Sequence, residues 1–140
     1  MILVAEKNLK LQIVTPNRIL CDEDVEMVIF RASTGDMGIL PNHQPVVATL
    51  SYGVLRFKQN QKERVATVMS GFVEVQPDKV TILTDAAEWP EEIDLERAEQ
   101  AKKRAMERLE SHRPDVNIMR AEVALQKALL RIETGSKYRR

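Results

Sequence analysis

The sequence predicts an N-terminal β-sandwich followed by a C-terminal antiparallel two-helix hairpin. Three observations carry this. Up to about residue 86, apolar residues recur with a period of two in short runs broken by Gly, Pro, Asn and Asp, the pattern of half-buried strands in a sandwich or barrel. From Glu88 onward Ala, Glu, Lys, Arg and Leu dominate and one glycine remains, Gly135, a composition that favours helix. Within that second part, two narrow apolar seams flank a break that contains a proline. These changes set the expected boundaries at 1–88 for the sandwich and 89–140 for the hairpin, with helices over 93–110 and 115–132.

The strands follow in order. Leu9, Leu11 and Ile13 alternate with Lys10 and Gln12, and Thr15-Pro16-Asn17-Arg18 ends the run. Val25, Met27 and Ile29 alternate with Glu26 and Val28 as one strand, which Ser33-Thr34-Gly35-Asp36 turns. The stretch from Gly35 to Pro45 holds two glycines and two prolines, which fix unusual backbone angles and mark a rigid connection. Val54, Leu55 and Phe57 follow Gly53; after a polar turn at Gln59–Lys62 the run Val65–Met69 resumes. Val73 and Val75 alternate with Glu74, Gln76-Pro77-Asp78-Lys79 turns, and Val80, Ile82 and Thr84 complete the set.

In the second part Ala98, Ala101, Ala105 and Leu109 form one seam, and Ile118, Ala121, Leu125, Ala128 and Ile132 the other. Spacings of three and four keep each set on one helix face. Pro114 is expected to stop the first helix and Asp115 to cap the second. Each arm spans about 27 Å at the rise of an α-helix, and equal arms on a short link predict an antiparallel pair. Alanine seams let two helices approach closely but bury little area. The outer faces are charged, so the hairpin is expected to be able to move.

Composition narrows the function. Lys+Arg and Asp+Glu stand at 21 each, and that balance argues against a nucleic-acid binder, which needs a basic field. Cys21 is the single cysteine, so it forms neither an internal disulfide nor a thiolate metal site, and no metal is expected. The apolar start Met1–Ala5 ends at Glu6-Lys7 and is too short for a signal peptide. No apolar run reaches the roughly 20 residues of a membrane helix, so a membrane would be met only through a partner. His43 with Asp36 is the one combination that suggests general-base chemistry, but no nucleophile accompanies it, and no Gly-rich Lys-Ser/Thr phosphate loop is present. No catalytic residue is therefore expected, and a hydrolase built on His43 and Asp36 is the enzymatic rival.

The segment Gly35-Asp36-Met37-Gly38-Ile39-Leu40-Pro41-Asn42-His43-Gln44-Pro45 resembles the Gly-x-x-Gly-Ile-Leu-Pro-x-His-x-Pro signature of the epsilon subunit of bacterial and chloroplast F-type ATP synthases. Val14-Thr15-Pro16, Asp24–Val28, Ser70–Val75 and Val80–Leu83 resemble that family in its order, and the hairpin completes the likeness. The resemblance implies a sandwich on the rotating central stalk that couples the gamma subunit to the c-ring in proton-driven ATP synthesis. Asp36 and His43 would face the c-ring. Such a chain is peripheral on the cytoplasmic face of the bacterial plasma membrane, with the alpha/beta catalytic head as its third partner.

Ile93-Asp94-Leu95-Glu96-Arg97-Ala98 resembles the family's Ile/Leu-Asp-x-x-Arg-Ala motif, which in some members binds ATP with the hairpin folded down. Read on their own, Asp94 is a good N-cap and Glu96 suits the positive helix end. The resemblance implies an ATP site from Glu88, Ile93, Asp94, Arg97, Ala98, Lys127 and Arg131, with ATP as a regulatory ligand and no cofactor required. Lys127 departs from the arginine of ATP-binding relatives, and lysine lacks the planar fork that grips phosphate. In an extended state, Arg120, Lys127 and Arg131, followed by Lys137, Arg139 and Arg140, would meet acidic beta-subunit segments and inhibit ATP hydrolysis. A freestanding ATP-binding sensor and a purely structural stalk piece are the alternatives.

Overall fold

The computed structural model describes residues 8–138; the expectations for Met1–Ala5 and for Arg139 and Arg140 lie outside them. The chain divides between Ala87 and Glu88 into two units. In the first, side chains alternate across strands, and the inward set builds an aliphatic core. Leu9, Leu11 and Ile13 of β1 (Leu9–Val14) are fully buried, as are Val80 and Ile82 of β9 (Lys79–Thr84). These two strands run parallel, Leu11 opposite Val80 and Ile13 opposite Ile82, so the start and end of the unit are joined by backbone hydrogen bonds. Burying each such side chain contributes about 1.5–3 kcal/mol before chain entropy is subtracted.

Between them lie β2 (Ile19–Val25), β3 (Met27–Ala32), β4 (Gly35–Ile39), β5 (Val46–Leu50), β6 (Gly53–Gln59), β7 (Lys62–Val68) and β8 (Gly71–Gln76); β10 (Ala87–Glu88) spans the division. Neighbours follow the order β7-β6-β3-β5-β8-β9-β1-β2, with β4 alongside β3. One edge of β3 pairs first with β6, through Val28 and Phe57, and then with β5, through Ala32 and Leu50. That exchange joins the two layers of a β-sandwich. Gly71 (φ 126°) permits the turn into β8, because a Cβ there would strike the Leu83 carbonyl.

Two details differ from the sequence expectation. Val25, Met27 and Ile29 do not share one strand: β2 ends at Val25, and past Glu26 the buried residues are Val28, Phe30 and Ala32. The change of strand at Glu26 shifts the phase by one residue, which exchanges the inner and outer faces. The first half of the rigid connection is itself a strand, β4, with Ile39 buried opposite Val28.

The second unit opens with a 3-10 turn at Pro90–Glu92, then α1 (Leu95–Ser111) and α2 (Ile118–Tyr138). Asp94 caps α1, its carboxylate accepting from the Arg97 amide at 3.1 Å, which satisfies one of the otherwise unpaired first-turn donors. The helix ends before Pro114, at His112, whose left-handed backbone (φ 53°) terminates it. Asn117, not Asp115, caps α2: its side-chain oxygen accepts from the Arg120 amide at 3.1 Å. Asp115 stays in the link because α2 starts three residues later than 115. Ala98, Ala105, Ala121 and Ala128 are buried as the seams require, while Ile118 is 60% exposed at the first turn. At its other end α2 continues past 132, with Thr134 and Gly135 buried.

Candidate functional site

At the open end of the hairpin, the turn before α1, the first three turns of α1 and the last part of α2 enclose a cleft of about 380 Å³. It is lined by Glu88, Glu92, Ile93, Asp94, Arg97, Ala98, Ala101, Arg104 and Arg131. Each residue arrives there for a local reason. Pro90 begins the 3-10 turn with its fixed φ. The Glu92 carboxylate closes that turn by accepting from the Trp89 amide at 3.0 Å. Ile93 is 2% exposed and anchors the segment, leaving Asp94 free to cap. Arg97, Ala101 and Arg104 follow at spacings of four and three, so they share one face of α1. Buried Ala98 keeps the wall thin. From α2, Arg131 donates Nε–H to Glu88 Oε1 at 2.8 Å across the cleft.

Every residue expected at the ATP site lines this cleft except Lys127. The side chain of Lys127 lines a separate cavity of about 700 Å³ at the closed end of the hairpin, together with Arg108, Arg113, Asp115 and Arg120. The cation that sequence reasoning missed is Arg104. Its signal was legible as the i, i+7 repeat from Arg97, two turns along the same face. Arg97, Arg104 and Arg131 stand against Glu88, Glu92 and Asp94, so charge in the cleft is balanced, and Arg131 is already engaged. Three cations over an apolar wall of Ile93, Ala98 and Ala101 suit an anion that carries a flat apolar group. The lining holds no Ser, Thr, Cys, His or Lys; its polar groups are the three arginines and the three carboxylates.

The signature loop behaves differently. Asp36 lies in β4 and accepts from Arg31 Nε at 3.2 Å, both side chains about half exposed. His43 is half-buried, and its Nδ1 meets the neighbouring Gln44 carbonyl at 2.7 Å. Asn42, in the left-handed region (φ 68°), ties the loop to Pro77 through its amide at 2.7 Å. Asp36 and His43 share no hydrogen bond, which leaves a base on this pair without its orienting carboxylate. On the sandwich, an exposed apolar row crosses four strands. Phe72 (59% exposed) is opposite Leu83 (50%), Leu83 is opposite Val14, and Val14 is opposite Ile19 (61%).

The sequence model of the beta-sandwich domain of the ATP synthase delta/epsilon chain matches residues 8–90, and that of its long alpha-helix domain matches residues 91–135. The chain belongs to the ATP synthase delta/epsilon family. The ATP synthase epsilon chain of Bacillus subtilis is 52% identical over 131 residues, covering 94% of this chain and 99% of the relative. That of Bacillus velezensis is 51% identical over 129 residues, covering 92% and 98%. Among solved structures, a chain of the Euglena gracilis mitochondrial ATP synthase (OSCP/F1/c-ring) superposes with a TM-score of 0.76 at 27% identity, covering 87% of this chain and 79% of that one. A central stalk/c-ring structure from Tetrahymena thermophila shares the fold, with a TM-score of 0.60 at 13% identity. The delta/epsilon match spans sandwich and hairpin alike, so both the signature loop and the cleft sit within the shared architecture. Among the described residues of this delta/epsilon chain, no helix is long and apolar enough to cross a membrane.

Proposed function

We propose that this chain is a non-catalytic regulatory subunit in the central stalk of a bacterial F-type ATP synthase, on the cytoplasmic face of the membrane. Its sandwich couples gamma to the c-ring, and its hairpin inhibits ATP hydrolysis. Membership of the delta/epsilon family supports the stalk role. The row Ile19, Val14, Leu83 and Phe72 supplies an apolar surface for a stalk partner, since such patches mark protein interfaces. The rigid loop with Asp36 and His43 supplies a firm contact for the c-ring.

ATP binds the cleft and holds the hairpin closed. The observation that carries this is the convergence of Arg97, Arg104 and Arg131 with the Asp94-capped start of α1 in one cleft. Arginine forks grip phosphate oxygens, and Ile93, Ala98 and Ala101 supply an apolar wall for the base. Arg104 takes the place that Lys127 holds in the sequence pattern. When ATP leaves, the hairpin extends, and Arg120, Lys127 and Arg131 meet acidic segments of the catalytic head. A ligand that binds one state alone shifts the balance by mass action. Calorimetric titration of the full chain with ATP tests the cleft. Saturable heat is expected, with affinity about tenfold or more lower in Arg97→Ala, the equivalent of one lost charge-assisted hydrogen bond. No heat from folded protein overturns the ATP role and leaves the stalk role standing.

A further inference from the structure

Gly135 stands inside α2, where glycine weakens a helix relative to alanine. The reason for it lies across the hairpin. Gly135 is buried, and a Cβ placed on it would lie 2.7 Å from Leu95 Cδ2, 3.3 Å from Leu95 Cγ and 3.2 Å from Ile93 Cγ2. Ile93 and Leu95 flank Asp94, the cap of α1. The preceding residue, Thr134, is fully buried and turns its hydroxyl back to the Leu130 carbonyl at 2.8 Å. The last part of α2 therefore meets the start of α1 with helix backbone against side chain.

We propose that Gly135 is a positioning residue that lets the open end of the hairpin close, so that a side chain at this position biases the hairpin toward opening. One turn before it, Arg131 reaches Glu88 at 2.8 Å, and the approach of Gly135 to Ile93 and Leu95 sets the width across which Arg131 works. A methyl group at 135 acts with opposite sign on two properties. It favours α2 as a helix, closed or open, through propensity. It opposes the closed pairing alone, because Ile93 is 2% exposed with a branched, stiff side chain and Leu95 must swing away. The consequence for ATP rests on the cleft being the nucleotide site; the consequence for closure does not.

The test uses the full chain with Cys21→Ala and spin labels at the exposed positions 99 and 133, one on each helix. In Gly135→Ala, a longer interlabel distance is expected to appear, with helix content by circular dichroism unchanged or higher. ATP affinity is expected to fall about fivefold. Adding Leu95→Ala removes the nearest obstruction, leaves only the 3.2 Å approach to Ile93, and is expected to restore most of the short distance and of the affinity. An unchanged distance in Gly135→Ala, a loss of helix content, or a failure of Leu95→Ala to restore the short distance overturns the proposal. If wild-type protein binds no ATP, the nucleotide site is overturned, and the distances still decide the role of Gly135.

Discussion

Lys127 and Arg104 are both cations of the hairpin, and they line different cavities. Because the Lys127 side chain lines the cavity at the closed end, Lys127→Ala is expected to leave ATP affinity within about twofold of wild type, below the roughly tenfold worth of a charge-assisted bond. Arg104→Ala is expected to weaken it by that larger factor, and calorimetry on both variants checks the assignment. Cys21 shows a different residue-scale effect. Its thiol is 3% exposed and donates to Glu23 at 3.4 Å. Burial first, and then Glu23, push its pKa up from 9.0 to about 12. A folded-state pKa above the unfolded one means that this contribution to stability is complete below about pH 9 and is lost as pH rises toward 12. Burial also pushes the Glu23 carboxyl up, but hydrogen bonds from Cys21 and Gln59 and the nearby Arg64 guanidinium outweigh it and hold it below the usual carboxylate range. That contribution is present above the ordinary value of 4.5 and disappears as pH falls through the lowered one. Thermal melts across pH are expected to drop at both ends, with the alkaline fall smaller in Cys21→Ala. Thiol alkylation at neutral pH is expected to be slow until the protein unfolds, because the thiolate is the reactive form.

At the scale of elements, Asp94 caps α1 and lines the cleft, and substitution separates the cap from the proposed ligand contact. Asp94→Asn keeps a side-chain acceptor for the Arg97 amide and so keeps the cap of α1. Asp94→Ala removes it and is expected to cost about 1 kcal/mol of helix stability, read by thermal melting of the hairpin signal. If the carboxylate charge matters to the ligand, ATP affinity changes in Asp94→Asn while the melt does not. The cap was legible in sequence because it is local: Asp before a helical run needs nothing from the rest of the fold. The seams at Ala98, Ala105, Ala121 and Ala128 were legible for the same reason. What sequence hid was set by pairing. Gly35–Ile39 becomes a strand because β3 offers it an edge, and the residues themselves, two glycines among five, would not suggest one. Glu26 reverses the inner face because β2 ends there, an event that alternation alone does not mark. The extension of α2 beyond 132 was hidden because the apolar seam ends at Ile132, while the burial of Thr134 and Gly135 comes from pairing with the start of α1.

At the scale of the whole molecule, the proposed stalk and brake roles fall on separate units, and each role can be tested in turn. The first is closed within itself: β1 pairs with β9, and the buried aliphatic rows lie in strands that end before Glu88. A chain ending at Ala87 is therefore expected to retain a cooperative melt and the β signature in circular dichroism. Added to a synthase lacking the full-length chain, it should restore assembly and proton-coupled ATP synthesis, because the loop with Asp36 and His43 and the row from Ile19 to Phe72 remain. Hydrolysis should then be faster than with the full-length chain, most clearly at low ATP, where an unliganded hairpin would extend. Phe72→Asp in the full chain should do the reverse: it places a charge in the apolar row, where interface burial of an unpaired carboxylate costs several kcal/mol. Co-purification with the rest of the stalk is expected to fail while the isolated chain stays folded, since Phe72 is 59% exposed. If truncation leaves hydrolysis unchanged, the hairpin is a structural part of the stalk and not a brake. If Phe72→Asp still co-purifies, the partner docks on another face, and the exposed row loses its assigned role.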